Sequence, residues 1–342
     1  MKCLLCNNNE ANQTGAHIFT NSLVRNCVNV EGKTGRDDEL MFGFSQSGEK
    51  DLYVGNTTNP EKIEEVLGKE MTDEEIKANN NEFVIDNIYC RDCEKLFGKV
   101  ESPFTERVLN KIRNEGVYKF NAPDNVLIRL YFYIQIWRAS SYKYDGWSLN
   151  DSELEEEFRQ IIFEGCETYD TGISEELKSR IIKFPLVVNY LETSDDEKSS
   201  NLIFIPNKTH THFLFLCDFV IELLPVKEGK EEYILEAYFG INNNLQKEHL
   251  NSMETEFIIR VIPNDERKKI NYAIQKNEFA QDDISRLIDR VRSEYFEITG
   301  IRISQEKLLE FRDKYFDWED VPLVQRTSED RFYEILLEII DD

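Results

Sequence analysis

Two C-x-x-C pairs, Cys3/Cys6 and Cys90/Cys93, stand more than eighty residues apart and restrict this chain more than any other feature. Such a turn sets two thiolates on one side of a tight loop, and two turns complete the four tetrahedral positions that zinc prefers. The cysteines number seven, an odd count that favours metal ligation over a disulfide framework. The second pair opens a helical pattern at Cys93-Glu94-Lys95-Leu96-Phe97. Unpaired core thiols or a redox pair are the competing readings. A metal shared by pairs so far apart clamps the ends of a long inserted segment, and His17 lies in that segment.

The rest of the chain bounds what this clamp belongs to. With 342 residues, 40% hydrophobic and 12% aromatic, there is material for two or three packed units. Sixty-six acidic against 41 basic residues give a formal charge of −25, and the acidic excess lies on both sides of residue 115. That balance argues against broad adhesion to nucleic acid or anionic membrane and fits an acidic part that docks on a basic partner or oligomerises. No stretch is long and apolar enough for a membrane span, and Met1-Lys2-Cys3-Leu4-Leu5-Cys6 lacks the apolar core of a secretory signal, so a cytoplasmic location is expected.

The periodicities predict an α+β chain: a zinc module over 1–115, a helical connection over 116–183, and an α+β domain over 184–342, β-rich to 262 and helical from 265. Short strands and loops are expected up to Glu82, then a strand at Phe83-Val84-Ile85. Apolar residues at helical spacing from Asp92 to Asn114 predict a helix that Pro103 kinks or restarts. The run Asn125 to Tyr142, opened by Asp124 after Pro123, predicts a mostly buried helix. Ser152 to Phe163, with a Ser152-x-x-Glu155 capping box, and Glu175 to Lys183 predict two more. Strands of an antiparallel sheet are expected at Phe184–Leu191, Leu202–Ile205, Thr211–Leu224 and Tyr233–Phe239, and helices from Asp282 to Asp342.

Cys3-x-x-Cys6, then Ala16-His17-Ile18-Phe19, then Asp86-Asn87-Ile88-Tyr89-Cys90-x-x-Cys93-Glu94 with Phe97 and Glu101, resembles divergent bacterial HNH endonuclease-like proteins. The resemblance covers about the first 145 residues, up to the run ending Trp137-Arg138-Ala139-Ser140. It implies a treble-clef, ββα-metal module cleaving DNA phosphodiester bonds, in a bacterial defence or toxin-like setting. His17 would be the general base on a water, Asn87 its orienter, and Glu94 a ligand of a catalytic Mg2+ or Mn2+, with zinc on Cys3, Cys6, Cys90 and Cys93 as the structural metal. A neutral imidazole accepts a water proton near neutral pH, and a hard cation offsets charge developing on phosphate. Two departures matter. Ala16 stands where many members carry an acidic ligand, and Asn87 is closer to the second knuckle than the usual Asn.

Each candidate has a structural alternative. His17 can be a hydrogen-bonded core residue, and Glu94 an acid favoured by the helix dipole. Glu101 can pair with a nearby Lys or Arg. Lys95, Lys99, Arg107, Lys111 and Arg113 supply a local basic strip for DNA, or only the wet face of a helix. His210 and His212 share one face of an expected strand without supporting ligands, and Cys27, Cys166 and Cys217 read as packed thiols. The alternative function is a non-catalytic zinc module in a protein-interaction or regulatory factor, and sequence-specific DNA binding without cleavage is a third reading.

Overall fold

The structure, a computed structural model, describes residues 1–28, 40–44, 50–54, 72, 74, 83–143, 148–149, 152–193, 202–204, 212–223, 256–270, 283–315 and 329–341. The elements in chain order begin with β1 (Ala16–His17), α1 (Asn21–Val28), β2 (Leu40–Phe44), β3 (Lys50–Val54) and β4 (Val84–Ile85). Helix α2 (Arg91–Phe104), β5 (Lys119–Phe120), α3 (Ala122–Tyr142), α4 (Ser152–Thr168) and α5 (Glu175–Ile181) follow. Then come β6 (Leu186–Leu191), β7 (Leu202–Phe204), β8 (His212–Cys217), β9 (Phe219–Leu223), β10 (Phe257–Ile258) and β11 (Arg260–Ile262). Helices α6 (Asp283–Thr299), α7 (Gln305–Tyr315) and α8 (Glu329–Asp341) close the series. The mixed α+β class is therefore as expected. The chain divides into one unit of Met1–Gly35 with Asn80–Arg267 and another of Arg36–Asn79 with Lys268–Asp342.

Helix α3 is the centre of the first unit. Asn121 caps it by accepting the Asp124 N–H at 3.2 Å, Pro123 occupies the first turn, and Lys143 ends it in the left-handed conformation. Every residue from Asp124 to Ser140 is buried, which explains a helix apolar on nearly all sides. α2 and α4 pack on it. The α4 contact is close at Gly165, where an added Cβ would fall 2.6 Å from a Leu130 methyl. Phe104 stacks on Tyr131 at 3.5 Å, and Phe132 reaches Phe219 on β9 at 5.7 Å, carrying the core from helix to sheet.

Pro103 neither stops α2 nor leaves it unchanged. Proline brings no N–H to the ladder and crowds the preceding turn. Immediately after it the helix widens into two π-type turns, Thr105–Leu109 and Lys111–Glu115, before Gly116 ends it at φ 64°.

The main sheet has the order β11-β6-β9-β8-β7. Its β6, β7, β8 and β9 pairings are antiparallel, while β11 joins β6 in parallel. The single strand expected over Thr211–Leu224 is a hairpin instead. Leu216 pairs with Phe219, so Cys217 and Asp218 form a two-residue tip, with Cys217 at φ 61°. Asn21–Val28, expected as loop or strand, is helical. Tyr233–Phe239 lies outside the described residues.

The second unit contains the hairpin β2–β3, paired from Leu40↔Val54 to Phe44↔Lys50, and the helices α6, α7 and α8. Val291, Tyr295, Leu308, Phe311, Phe332 and Leu336 are among the residues of its own core.

Candidate metal centre

The amino-terminal ribbon and the segment before α2 are zipped by main-chain bonds that bring the knuckles together. Leu4 N–H donates to the Ile88 carbonyl at 3.0 Å, and the Asn12 and Gln13 N–H groups share the Tyr89 carbonyl. Inside the first knuckle Asn7 takes a left-handed backbone, φ 53°, a conformation that Asn tolerates, and donates to the Cys3 carbonyl. In the second, Cys90 is the extended cap of α2 and Cys93 sits in its first turn.

The result is four sulfurs all within 4.8 Å of one another, with Cys6 Sγ and Cys90 Sγ at 4.0 Å. A tetrahedron with zinc–sulfur bonds of about 2.3 Å has sulfur–sulfur edges of about 3.8 Å. The cluster therefore has the size and donor set for zinc, and Cys3, Cys90 and Cys93 are buried. Its electrostatics agree: the Cys3 thiol is lowered to about 4 by hydrogen bonding with Cys93, whose own thiol is pushed up by that same bond and by burial. Zinc would bind there with loss of thiol protons. Asn9 adds N–H groups toward two sulfurs, its main chain to Cys6 Sγ at 3.5 Å and its side chain to Cys90 Sγ at 3.6 Å.

The other candidates occupy distinct settings. His17 is half-buried on β1, paired with Val84 on β4, and Ala16 beside it is fully buried opposite Ile85. Asn87 is exposed at φ 60°, where its N–H donates to the Gln13 carbonyl at 2.7 Å, so its backbone makes a turn between β4 and the second knuckle. Glu94 lies in the first turn of α2 with Oε2 buried and without a hydrogen bond among the described residues. Burial raises its pKa, a shift that the Arg138 guanidinium opposes.

A polar seam that periodicity did not reveal runs between α2, α3 and the exit of β1. Arg138, buried on α3, donates to Glu101 Oε1 at 2.8 Å, and Thr20 Oγ1 donates to the same oxygen at 2.6 Å. The Gln135 amide accepts from Thr20 N–H at 3.0 Å and donates to Thr20 Oγ1 at 2.8 Å. Arg138 also lies over the Phe97 ring at 3.9 Å. Gln135 and Arg138 in a mostly apolar stretch of helix were the visible signal, without their partners.

The expected basic strip is partly consumed by structure. Lys99 pairs with Asp170 at 3.4 Å, and Arg107 pairs with Asp124 and reaches the Tyr169 hydroxyl. Arg113 forks onto Asp218 at 2.7 and 2.8 Å and also donates to the Ser22 and Leu23 carbonyls. Lys95 and Lys111 are exposed. Cys166 is a packed thiol pushed up to about 12 by burial, whereas Cys217, expected as one, is disulfide-bonded. The Cys27 side chain and His210 lie outside the described residues, while His212 opens β8.

Comparison with protein families, curated proteins and solved structures finds no match. Fold and site define a mixed α+β protein with a four-cysteine centre that can hold a metal ion. Among the described residues no helix is long and apolar enough to cross a membrane.

Proposed function

We propose that the first unit is a treble-clef zinc module of HNH endonuclease type that cleaves DNA phosphodiester bonds with a divalent cation, His17 acting as general base on the attacking water. The observation that carries this reading is the order of parts around the four cysteines. A first knuckle leads to a short antiparallel pair bearing His17, and a second knuckle opens α2. Zinc then has a structural role, and the chemistry lies on the β1–β4 strand pair. Zinc-loaded protein supplied with Mg2+ or Mn2+ should nick plasmid DNA. His17→Ala should lose that activity while retaining its zinc. Undiminished nicking by the variant removes His17 from the role, and absence of cation-dependent cleavage in the wild type removes the nuclease reading.

A second reading, a zinc-clamped interaction module without catalysis, is favoured by one specific observation. The Glu94 carboxylate that would hold the catalytic cation has a buried, unbonded oxygen beside Arg138, and Ala16 offers no acid in its place. This reading expects no cleavage with any divalent ion and a stable complex with a basic protein partner, for which the −25 charge is suited.

A further inference from the structure

Helix α4 begins nearly 150 residues after the first knuckle, yet it touches that knuckle directly. Arg159 Nη1 donates to the carbonyl of Leu5, the buried residue between Cys3 and Cys6. The same guanidinium is aimed by Glu156, whose two carboxylate oxygens accept from Nε at 2.8 Å and from Nη2 at 2.6 Å. Gln160 donates to Glu156 Oε1 at 2.8 Å and holds that carboxylate in turn. The Arg159 side chain is 17% exposed.

Zinc on four thiolates leaves a net double negative charge in a buried place, and groups beside the ligands set both their orientation and the tolerance of that charge. A planar guanidinium, always protonated and held by a fork, does both at once. We propose that Arg159 is a positioning residue of the metal centre: by fixing the Leu5 carbonyl inside the first knuckle, it makes metal affinity and the docking of α4 depend on each other. The inference rests on the reading of the four cysteines as a zinc site. By linkage the dependence is reciprocal, so zinc tightens the α4 contact by the factor by which the contact tightens zinc.

The test is competition of the full-length protein against a chromophoric zinc chelator, paired with amide hydrogen exchange of residues 152–168 with and without zinc. Wild type should bind zinc, and its removal should raise exchange in 152–168. Arg159→Gln should weaken zinc about 10–100-fold, the range for loss of a group that orients a ligand, and should remove the zinc dependence of exchange. Should that variant not fold, Arg159→Lys carries the test, because it keeps the charge and loses the fork; a loss of at least about threefold is expected. Zinc affinity within about threefold of wild type in a folded Arg159→Gln, or undiminished affinity in Arg159→Lys, overturns the proposal. A wild-type protein that binds no zinc overturns the metal reading itself.

Discussion

Glu94 shows how one position can be asked to do two incompatible things. As a cation ligand it must meet solvent and phosphate, but its backbone places it in the first turn of α2 facing Arg138. Burial disfavours its charged form, so its folded-state pKa lies above the unfolded value. For an acid shifted in this direction, the folded state binds the proton more tightly. The stabilising contribution is complete below the unfolded pKa and is lost as pH rises through the folded one. At neutral pH the ionised side chain is thus a cost, and Glu94→Gln removes it while Glu101 remains to pair Arg138. Thermal denaturation should show Glu94→Gln melting at or above the wild type near pH 7.5, with the advantage shrinking as pH falls toward the carboxylate range. A lower melting temperature at neutral pH would mean that Arg138 holds an ionised Glu94. Lost cleavage in a variant of raised stability would isolate a ligand role from a structural one.

Among the elements, the β8–β9 hairpin illustrates what short-range pattern could not disclose. A two-residue turn whose first central residue has positive φ ordinarily calls for glycine, and here that residue is Cys217. Long-range bonds hold the tip in place: Arg113 forks onto the Asp218 carboxylate, and Leu191 N–H donates to the Asp218 carbonyl at 2.8 Å. With both side chains of the ion pair almost fully buried, removing one leaves the other charged in the interior, a loss of roughly 3–5 kcal/mol. Arg113→Met should therefore lower the denaturant midpoint by a corresponding amount. Adding Asp218→Asn should recover part of it, because the stranded charge is gone, and a double variant no better than the single one would place the loss in the Ser22 and Leu23 carbonyls instead. The same long reach explains which elements were legible. The apolar runs of α2, α3 and α6–α8, and the cysteine spacing, are local signals that the sequence displays. α1 is short and opens on Asn21, a weak helix former, and Arg113, about 90 residues away, donates to its Ser22 and Leu23 carbonyls. The seam of Thr20, Glu101, Gln135 and Arg138 joins residues up to 115 apart, so spacing could show unusual polar side chains in a core helix and not what they hold.

For the molecule as a whole, the dominant quantity is its charge. At −25 the folded chain repels itself, and compaction brings like charges closer than in the unfolded state. Individual pairs such as Arg180 with Glu157 and Glu164, or Lys314 with Glu310 and Glu338, work in the opposite direction, but they are partly exposed and each contributes little. Added salt screens both effects over a length of about 10 Å at 0.1 M, and with so large an excess of one sign the loss of repulsion is the greater term. The melting temperature should therefore rise between about 20 mM and 300 mM NaCl at pH 8. The rise should shrink near pH 5, close to the sequence pI of about 4.7, where protonated carboxylates have already removed most of the repulsion. A melting temperature that falls with salt at pH 8 would show that the paired charges outweigh the excess. The same charge constrains the function. Any DNA cleavage must work through a local approach to the β1–β4 strand pair and not through general attraction, so turnover on duplex DNA should be limited by weak binding, whereas a basic protein partner would be drawn to this surface from a distance.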